Sequence, residues 1–368
     1  MPGAGYYIAR RGVVLLVSYV AIIIIIAAIL ELSGYATQIY QAVINELVRA
    51  DVDALVKARQ GQVDPAYIQE YRQNRTIEYM KQYGLIDENG NPVPSYVRMW
   101  KLAFNALTFN FGKTKEDLVA MVVPTMPPAS ITYIISVVLP RTIIVVTVGE
   151  LIVVAIALLV GPRIAYRHGT FLDRVVVAYA ALTSAIPLWW LAMLFIRVFG
   201  YQLGWFPTSL RGVTTPLNNF WSNPAQNFVT ILWYITPPLT VFTIISLGGW
   251  LYGVRAMVLR IVREDYVMVA KAKGLPERDI TRKYVMRPSL APILTNVILA
   301  LAGTLGGMII TESVFDWPGM GTLYYAAITT GDAETIVALF VIYVGVYLIA
   351  RFILEILYVL VDPRVRVR

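Results

Sequence analysis

The sequence predicts an all-α polytopic membrane protein with about six transmembrane helices. Of its 368 residues, 58% are hydrophobic and only 15% are charged, and the mean hydropathy is +0.64. Several nearly uncharged runs approach the ~20 residues that a helix needs to cross ~30 Å of hydrocarbon. The single histidine and the lack of cysteine remove disulfides, thiolate chemistry and histidine-rich metal sites from consideration.

Six apolar runs are long enough to be spans. They lie at 13–30, 142–161, 175–198, 229–252, 290–311 and 334–360. The first run is longer than the apolar core of a signal peptide and has no small-residue cleavage site, so we expect it to be retained.

Basic residues are concentrated in alternate connecting segments. With the N-terminus in the cytoplasm, the inner segments carry more than half of the 31 Lys and Arg residues. They are Arg10, Arg11, Arg163, Arg167, Arg174, the nine from Arg255 to Arg287, and Arg364, Arg366 and Arg368. The positive-inside rule therefore predicts that both termini are cytoplasmic. This topology explains the net charge of +8 better than nucleic-acid binding does, because the basic residues alternate with spans.

The chain divides into three predicted parts. They are the N-terminal tail and first span at 1–30, an external helical insertion plus an interfacial segment at 31–140, and a transmembrane core at 141–368 with a cytoplasmic loop at 255–290. Acidic and basic residues nearly balance in the insertion, so it can be translocated. Asp64 before Pro65 is a typical N-cap, and the helix that it starts can run to Gly84.

The apolar stretch Leu118–Leu139 could instead be a seventh span. Thr114 and Asp117 resemble a capping box for a short helix at its start. Three prolines at 124–128 then interrupt the stretch, and a seventh crossing would move the nine-charge loop to the outside. Both observations favour an interfacial or re-entrant segment.

A strongly charged segment, Glu264–Pro292, separates the fourth and fifth predicted spans. Asp265–Lys273 contains no Gly or Pro, Gly274 can end a helix in the left-handed conformation, and Pro276-Glu277 suits the start of a second helix. A loop that only fixes topology is the alternative. Such a tether needs few residues, so the length and mixed charge of this segment favour a docking element in the cytoplasm.

The sequence DYVMVAKAKGL at Asp265–Leu275 resembles the cytoplasmic loop of ABC-importer permeases of the dipeptide and oligopeptide branch, where the pattern is approximately DYVRTARAKGL. Other segments similar to that branch follow the same order: FGK at 111–113, LPRT at 139–142, AIPLWWL at 185–191, LGWFPTS at 203–209, GGMIITESVFDWPGMGTLYYAAI at 306–328 and DPRVR at 362–366. Within them, ESVFDWPGMG at Glu312–Gly321 is highly specific.

The resemblance implies the fold of a type I ABC-importer permease, in which this loop is a coupling helix in a groove of a cytoplasmic ATPase subunit. The residues that would make the contact are Glu264, Asp265, Tyr266, Ala270, Lys271, Ala272, Gly274 and Leu275. The general importer motif has a glutamate six positions before the glycine. Met268 occupies that position here, so the salt bridge of other branches is not carried over.

The resemblance also implies several partners: a second homologous permease subunit, two cytoplasmic ATP-binding subunits and an external substrate-binding protein. ATP and Mg would bind to the partner chains, and no cofactor to this one. The sequence has no GxxxxGK[ST] phosphate loop, so we predict a transport subunit without its own ATPase site. Peptides or oligosaccharides are the expected solutes, and the insertion is expected to meet the binding protein.

The predicted pathway or gate residues are Glu150, Trp189, Glu312, Trp317, Pro318 and Gly319. Glu150 lies well inside the second predicted span, where a carboxylate either lines a pathway or is paired internally. Trp189 follows Pro187 and either lines a cavity or packs at a helix kink. Trp317-Pro318-Gly319 predicts a tight turn, with its aromatic residues at the membrane interface.

One further pair, one single residue and two other function classes complete the predictions. Arg351 and Glu355 are spaced to pair across one helical turn, and His168 is predicted to be a solvated loop residue without a role. A stand-alone secondary transporter, the alternative function, would have several intramembrane acids and an internal repeat. An intramembrane enzyme would have clusters of Asp or His at the membrane surface. The sequence shows neither pattern.

Overall fold

The computed structural model describes residues 4–59, 63–114, 117–166, 168–304 and 309–361. These residues are almost entirely helical, which confirms the predicted fold class. The helices are α1 (Ala4–Leu32), α2 (Tyr35–Ala58), α3 (Pro65–Gln82), α4 (Ser95–Leu107), α5 (Asp117–Ala120), α6 (Ile131–Tyr166), α7 (Phe171–Ala185), α8 (Leu188–Phe195), α9 (Thr214–Asn218), α10 (Pro224–Val262), α11 (Asp265–Ala272), α12 (Glu277–Asp279), α13 (Arg287–Thr304), α14 (Ile309–Phe315), α15 (Met320–Thr330) and α16 (Ala333–Val361).

Shorter elements connect some of these helices. A π-helix at Ile196–Gln202 continues α8, another at Ile280–Met286 joins α12 to α13, and 3-10 turns lie at Arg211–Val213 and Phe220–Ser222. The two-residue strands β1 (Lys113–Thr114) and β2 (Ala129–Ser130) pair antiparallel, with Lys113 opposite Ser130.

Four helices in the described part of the chain are long and apolar enough to cross a membrane. They are found at Gly5–Leu32, Ile131–Tyr166, Pro224–Val262 and Ala333–Ile356, and the pair α7 and α8 would be a fifth span. The predicted span at 290–311 falls on α13 and α14, and 305–308 between them lie outside the described residues. The predictions for Arg167 and for 362–368 also lie outside them.

The second long helix begins earlier than predicted. Helix α6 starts at Ile131 rather than near 142 and continues through Pro140. The residues from Ile131 to Leu139 are therefore the first part of a span, and the predicted boundary at 140 falls inside a helix. The preceding turn at 121–128 contains the prolines that prevent the helix from starting sooner.

The third predicted span is not one straight helix. Helices α7 and α8 meet at an angle of 89°. Ile186 has an extended backbone, with φ −95° and ψ 119°, because the ring of Pro187 disfavours the helical conformation in the preceding residue. Pro187 then begins α8 as its N-cap.

Helices α6 and α10 pack closely along their length through small residues. A Cβ on Gly149 would lie 2.8 Å from the Phe242 ring, and one on Gly161 would lie 2.8 Å from Val254. Glycine lets two helix backbones approach in a membrane, where packing rather than water exclusion drives association. This pair is the centre of the fold, and α7 packs against α10 beside it.

The segment between the first two spans contains the predicted helices. Asp64 is the N-cap of α3 and accepts a hydrogen bond from Ala66 N–H at 3.0 Å, and Gly84 has a left-handed φ of 68° just after the helix. These observations confirm the predicted start and end. The short helix predicted to start at Asp117 is α5, and Thr114 before it lies in β1, where its hydroxyl donates to Asp332 at 2.6 Å.

Candidate functional site

The segment Glu264–Leu275, named here the coupling segment for its predicted role, folds as predicted around one short helix. Gly274 follows α11 with a left-handed φ of 72°. Gly274 N–H donates to Lys271 O at 2.9 Å, and Leu275 N–H donates to Ala270 O at 3.3 Å. This pair of bonds is a Schellman motif, which satisfies the last carbonyls of the helix. Helix α12 follows after Pro276, its N-cap, and confirms the two-helix prediction.

Burial divides the coupling segment into two faces. Val267 and Ala270 are buried in a cluster with residues of α10, including Val254 and Val258. Tyr266, Met268 and Val269 are exposed, at 44%, 63% and 52%. Ala270, one of the predicted contact residues, packs within its own chain and anchors α11 there.

The other predicted contact residues remain accessible. Glu264, Asp265, Lys271, Ala272 and Gly274 are exposed, and Leu275 is half-buried. An open cleft of about 510 Å³ lies beside the start of α11. It is lined by Tyr252, Arg255, Ala256, Leu259, Arg260, Arg263, Glu264 and Asp265.

A buried ion pair connects the start of α7 with the last part of α10. The Arg255 guanidinium binds both carboxylate oxygens of Asp173, with Nη2 at 2.9 Å from Oδ2. Gly169 N–H donates to the same oxygen at 2.9 Å, and His168 Nδ1 lies 3.1 Å from both Asp173 Oδ2 and Arg255 Nη2. Sequence reasoning missed this cluster. His168 is exposed in the loop before α7, as predicted, and its ring also contacts this ion pair.

Glu312–Gly321 forms a compact turn, named here the outer turn for its predicted position. The Glu312 carboxylate is 5% exposed and accepts hydrogen bonds from Gly321 N–H at 2.7 Å and Thr142 hydroxyl at 2.8 Å. Thr322 N–H lies 3.4 Å from the same carboxylate. Glu312 thus binds the free N–H groups at the start of α15, where the helix dipole favours a negative charge.

Two positions of the outer turn require glycine, because a Cβ atom would have no space there. A Cβ on Gly321 would lie 2.8 Å from Ile309 Cα and 3.0 Å from the Glu312 carboxylate. One on Gly319 would clash with the same carboxylate and with the Thr142 hydroxyl. Gly319 N–H donates to Trp317 O at 2.8 Å, which closes the predicted tight turn.

The aromatic residues of the outer turn are part of the protein core. Phe315 and Trp317 are 1% and 2% exposed and pack with Leu210, Ile235 and Val241. Their prediction as membrane-interface residues was therefore wrong. Pro318 and Gly319 are also buried, so the predicted gate residues of this segment all lie inside the protein.

Arg141 is a further residue that the sequence predictions missed. It is buried in α6, where its guanidinium donates to Pro318 O at 3.3 Å and lies 3.5 Å from Asn218 Oδ1. Together with the Thr142 bond to Glu312, it fixes the outer turn on α6. The sequence did contain a signal, which is an arginine at the edge of an apolar run. Burial of such a charge is energetically costly unless it has partners.

The two remaining predicted pathway residues are separate from the outer turn. Trp189 lies on the exposed face of α8. Glu150 is 2% exposed between α6 and α10, with Trp250 in hydrogen-bonding reach and Oε1 without a partner. Phe242 and Val146 belong to the apolar cluster at the same level.

A second predicted pair also has different partners. Glu355 accepts a hydrogen bond from the Tyr7 hydroxyl at 2.8 Å and lies 3.7 Å from Arg11 Nε. The predicted pairing with Arg351 was wrong, because α1 supplies the partners of Glu355. This contact joins the first and last spans near their inner ends.

Comparison with known proteins identifies similar sequences over most of the chain. The family model described as "binding-protein-dependent transport system inner membrane component" matches residues 154–367. The oligopeptide transport system permease protein AppB of Bacillus subtilis is 28% identical over 78% of this chain and 84% of its own length. The di/tripeptide transport system permease protein DppB of Pseudomonas aeruginosa is 29% identical over 57% of this chain and 65% of its own length.

Proposed function

Because this chain belongs to the family of binding-protein-dependent transport system inner membrane components, we infer that it is the transmembrane permease subunit of an ABC importer for peptides. Its apolar helices make it a multi-pass membrane protein. The distribution of basic residues supports an orientation with both termini in the cytoplasm. In that orientation α11 lies in the cytoplasm, and α2, α3 and the outer turn lie outside.

The exposed face of α11 is proposed as the contact with a cytoplasmic ATPase subunit. The observation that carries the proposal is the presence of three exposed apolar side chains, Tyr266, Met268 and Val269, on a helix whose Val267 and Ala270 are buried. An exposed apolar patch in the cytoplasm favours a protein contact. Met268 replaces the glutamate of other importers, and its flexible thioether suits an apolar groove.

The buried face gives α11 the rigidity that coupling requires. Val267 and Ala270 fix the helix to the π-helix at Ile280–Met286, which continues into α13, and the Schellman motif holds its end. A movement of the partner would therefore be transmitted to this π-helix and α13 rather than absorbed by the loop. ATP and Mg bind to two ATPase subunits in this proposal, and a second permease completes the pathway. Coupling also requires that the permease has two conformations. Binding at the ATPase contact and binding in the solute pathway must both change the balance between them.

Replacing Met268 and Val269 together by serine tests the contact. We expect the double variant to fold with unchanged thermal stability but to bind the ATPase at least about tenfold more weakly, a loss of about 1.4 kcal/mol. Peptide-stimulated ATP hydrolysis should fall accordingly. The matched control is Met126→Ser, since Met126 is 88% exposed and lies on the external side. Full binding and coupled hydrolysis in the double variant would contradict the proposal, as would gradient-driven uptake by the isolated chain.

The external binding protein is proposed to meet the hairpin of α2 and α3. These helices form their own small core around Ile44, Val48 and Leu85. The two ends of this unit lie close together, because Arg98 donates to Thr37 Oγ1 at 2.6 Å and to Val93 O at 2.8 Å. Residues 41–91 can therefore be replaced by a short Gly-Ser linker. Binding-protein-dependent uptake that survives this replacement would contradict the proposal.

A further inference from the structure

Helix α4 follows the external hairpin and packs along the outer half of α1. At its start, Arg98 Nε lies 2.8 Å from the Glu31 carboxylate, with Glu31 buried and Arg98 partly buried. One turn further, Ala103 shares a buried cluster with Ala27. At its end, Ala106 shares another cluster with Ile23. The helix is therefore antiparallel to α1 and runs toward the membrane centre.

The length of the apolar run in α1 fixes the depth of this contact. Between Arg11 and Glu31 no charged residue occurs, and Val13–Leu30 provides 18 residues. At ~1.5 Å per residue this run covers about 27 Å, which is slightly less than the ~30 Å thickness of the hydrocarbon. All of it must therefore lie in the apolar layer. Ile23 lies eight residues inside Glu31, so it is about 12 Å below the outer boundary.

Contacts with the last span support the same depth. Val337 and Leu339 of α16 belong to the buried cluster that contains Ile23 and Ala106. Both α1 and α16 meet the criteria for membrane spans. The end of α4 thus lies beside two spans, inside the level of their outer ends.

The free face of α4 has the composition of a membrane-facing surface. Tyr96, Val97, Trp100 and Phe104 are exposed on it, with Phe104 67% exposed at the deep end. Tyrosine and tryptophan are typical of the interface, and phenylalanine suits the hydrocarbon below it. Lys101 is exposed at the level of Trp100, where its chain can extend toward the headgroups.

We propose that α4 is a half-helix embedded in the outer leaflet, and that Trp100 and Phe104 face lipid acyl chains rather than water or another protein. The sequence prediction placed this segment in an external domain. The backbone of α4 can lie in the hydrocarbon, because a helix satisfies most of its N–H and C=O groups by internal hydrogen bonds. The proposal depends on α1 crossing the membrane and is independent of what the importer carries.

Single-cysteine spin labelling tests the proposal, because the chain contains no native cysteine. Nitroxide labels are attached to Phe104→Cys and Trp100→Cys in the full chain in phospholipid vesicles. Accessibility to molecular oxygen and to a water-soluble nickel chelate is then measured. Ile25→Cys on the exposed face of α1 is the lipid control, and Gln73→Cys on exposed α3 is the water control.

The label at Phe104 is expected to match that at Ile25, with high oxygen and low nickel accessibility. The label at Trp100 should lie between the two controls. Nickel accessibility at Phe104 equal to that at Gln73 would place the helix in water and overturn the proposal. Shielding of Phe104 from both reagents would also overturn it, because another protein surface would then cover the helix. The label at Trp100 repeats the test at a second exposed position.

Discussion

The hydroxyl of Thr142 donates a hydrogen bond to the carboxylate of Glu312 at 2.8 Å, and through it α6 is connected to the start of α15. The same hydroxyl oxygen accepts a bond from Met320 N–H at 2.8 Å. Both residues are buried. A carboxylate in this position satisfies donors that would otherwise be buried without partners, so the bonds are expected to stabilise the outer turn.

Glu312→Ala should strongly destabilise the protein. It leaves the Gly321 N–H and the Thr142 hydroxyl without this acceptor, and a buried unsatisfied donor costs about 1–3 kcal/mol. Glu312→Gln keeps a carbonyl acceptor and should cost less. Thermal unfolding of the purified variants measures whether Glu312→Ala loses more stability than Glu312→Gln. Glu277→Gln on exposed α12 is the control, and equal unfolding temperatures for Glu312→Ala and this control would contradict the prediction.

Gly321→Ala should destabilise the same turn by a different mechanism. The added Cβ would lie 2.8 Å from Ile309 Cα, which is backbone and cannot rotate away. Overpacking of this kind costs about 1–3 kcal/mol. In Gly5→Ala nothing lies within 4 Å of the new Cβ, so this helix position should tolerate the change. Thermal unfolding of both variants measures this difference in stability. An unchanged unfolding midpoint for Gly321→Ala would show that the turn adjusts to the added Cβ.

The sequence predicted local structure where one residue determines the backbone. Gly274, Gly84 and Asp64 mark helix ends as expected, because left-handed glycine and N-cap aspartate act within a few residues of their own position. The apolar runs likewise predicted most spans. The bend at Ile186 had a signal in Pro187, but its 89° angle depends on packing between α8, α10 and α14.

Contacts between distant residues could not be predicted from one sequence. Arg255 and Asp173 are 82 positions apart, and neither position alone differs from an ordinary positive-inside loop. Glu355 had an apparent local partner in Arg351, whereas the fold brings Tyr7 within 2.8 Å. In the coupling segment, the spacing identified the helix, but only its packing on the π-helix at Ile280–Met286 decides that Ala270 faces inward.

Arg255→Met should be among the most destabilising changes at the inner side of the protein. Asp173 is only 3% exposed, so removal of its counter-ion leaves a buried charge, at a cost of about 3–5 kcal/mol. Adding Asp173→Asn to this variant removes that charge and should recover part of the loss. Thermal unfolding of the single and double variants gives the coupling between the two sites. Additive losses would show that the ion pair contributes little.

Glu150→Gln should leave peptide uptake unchanged and alter stability by less than about 1 kcal/mol. The carboxyl group is 2% exposed among apolar side chains of α6 and α10, and Trp250 is its hydrogen-bonding neighbour. Glutamine has nearly the same shape and can still accept a bond from the indole N–H. Uptake by reconstituted importers and thermal unfolding test both statements. Lost uptake with normal unfolding would instead assign Glu150 to the pathway, since an isosteric amide differs mainly in its inability to ionise.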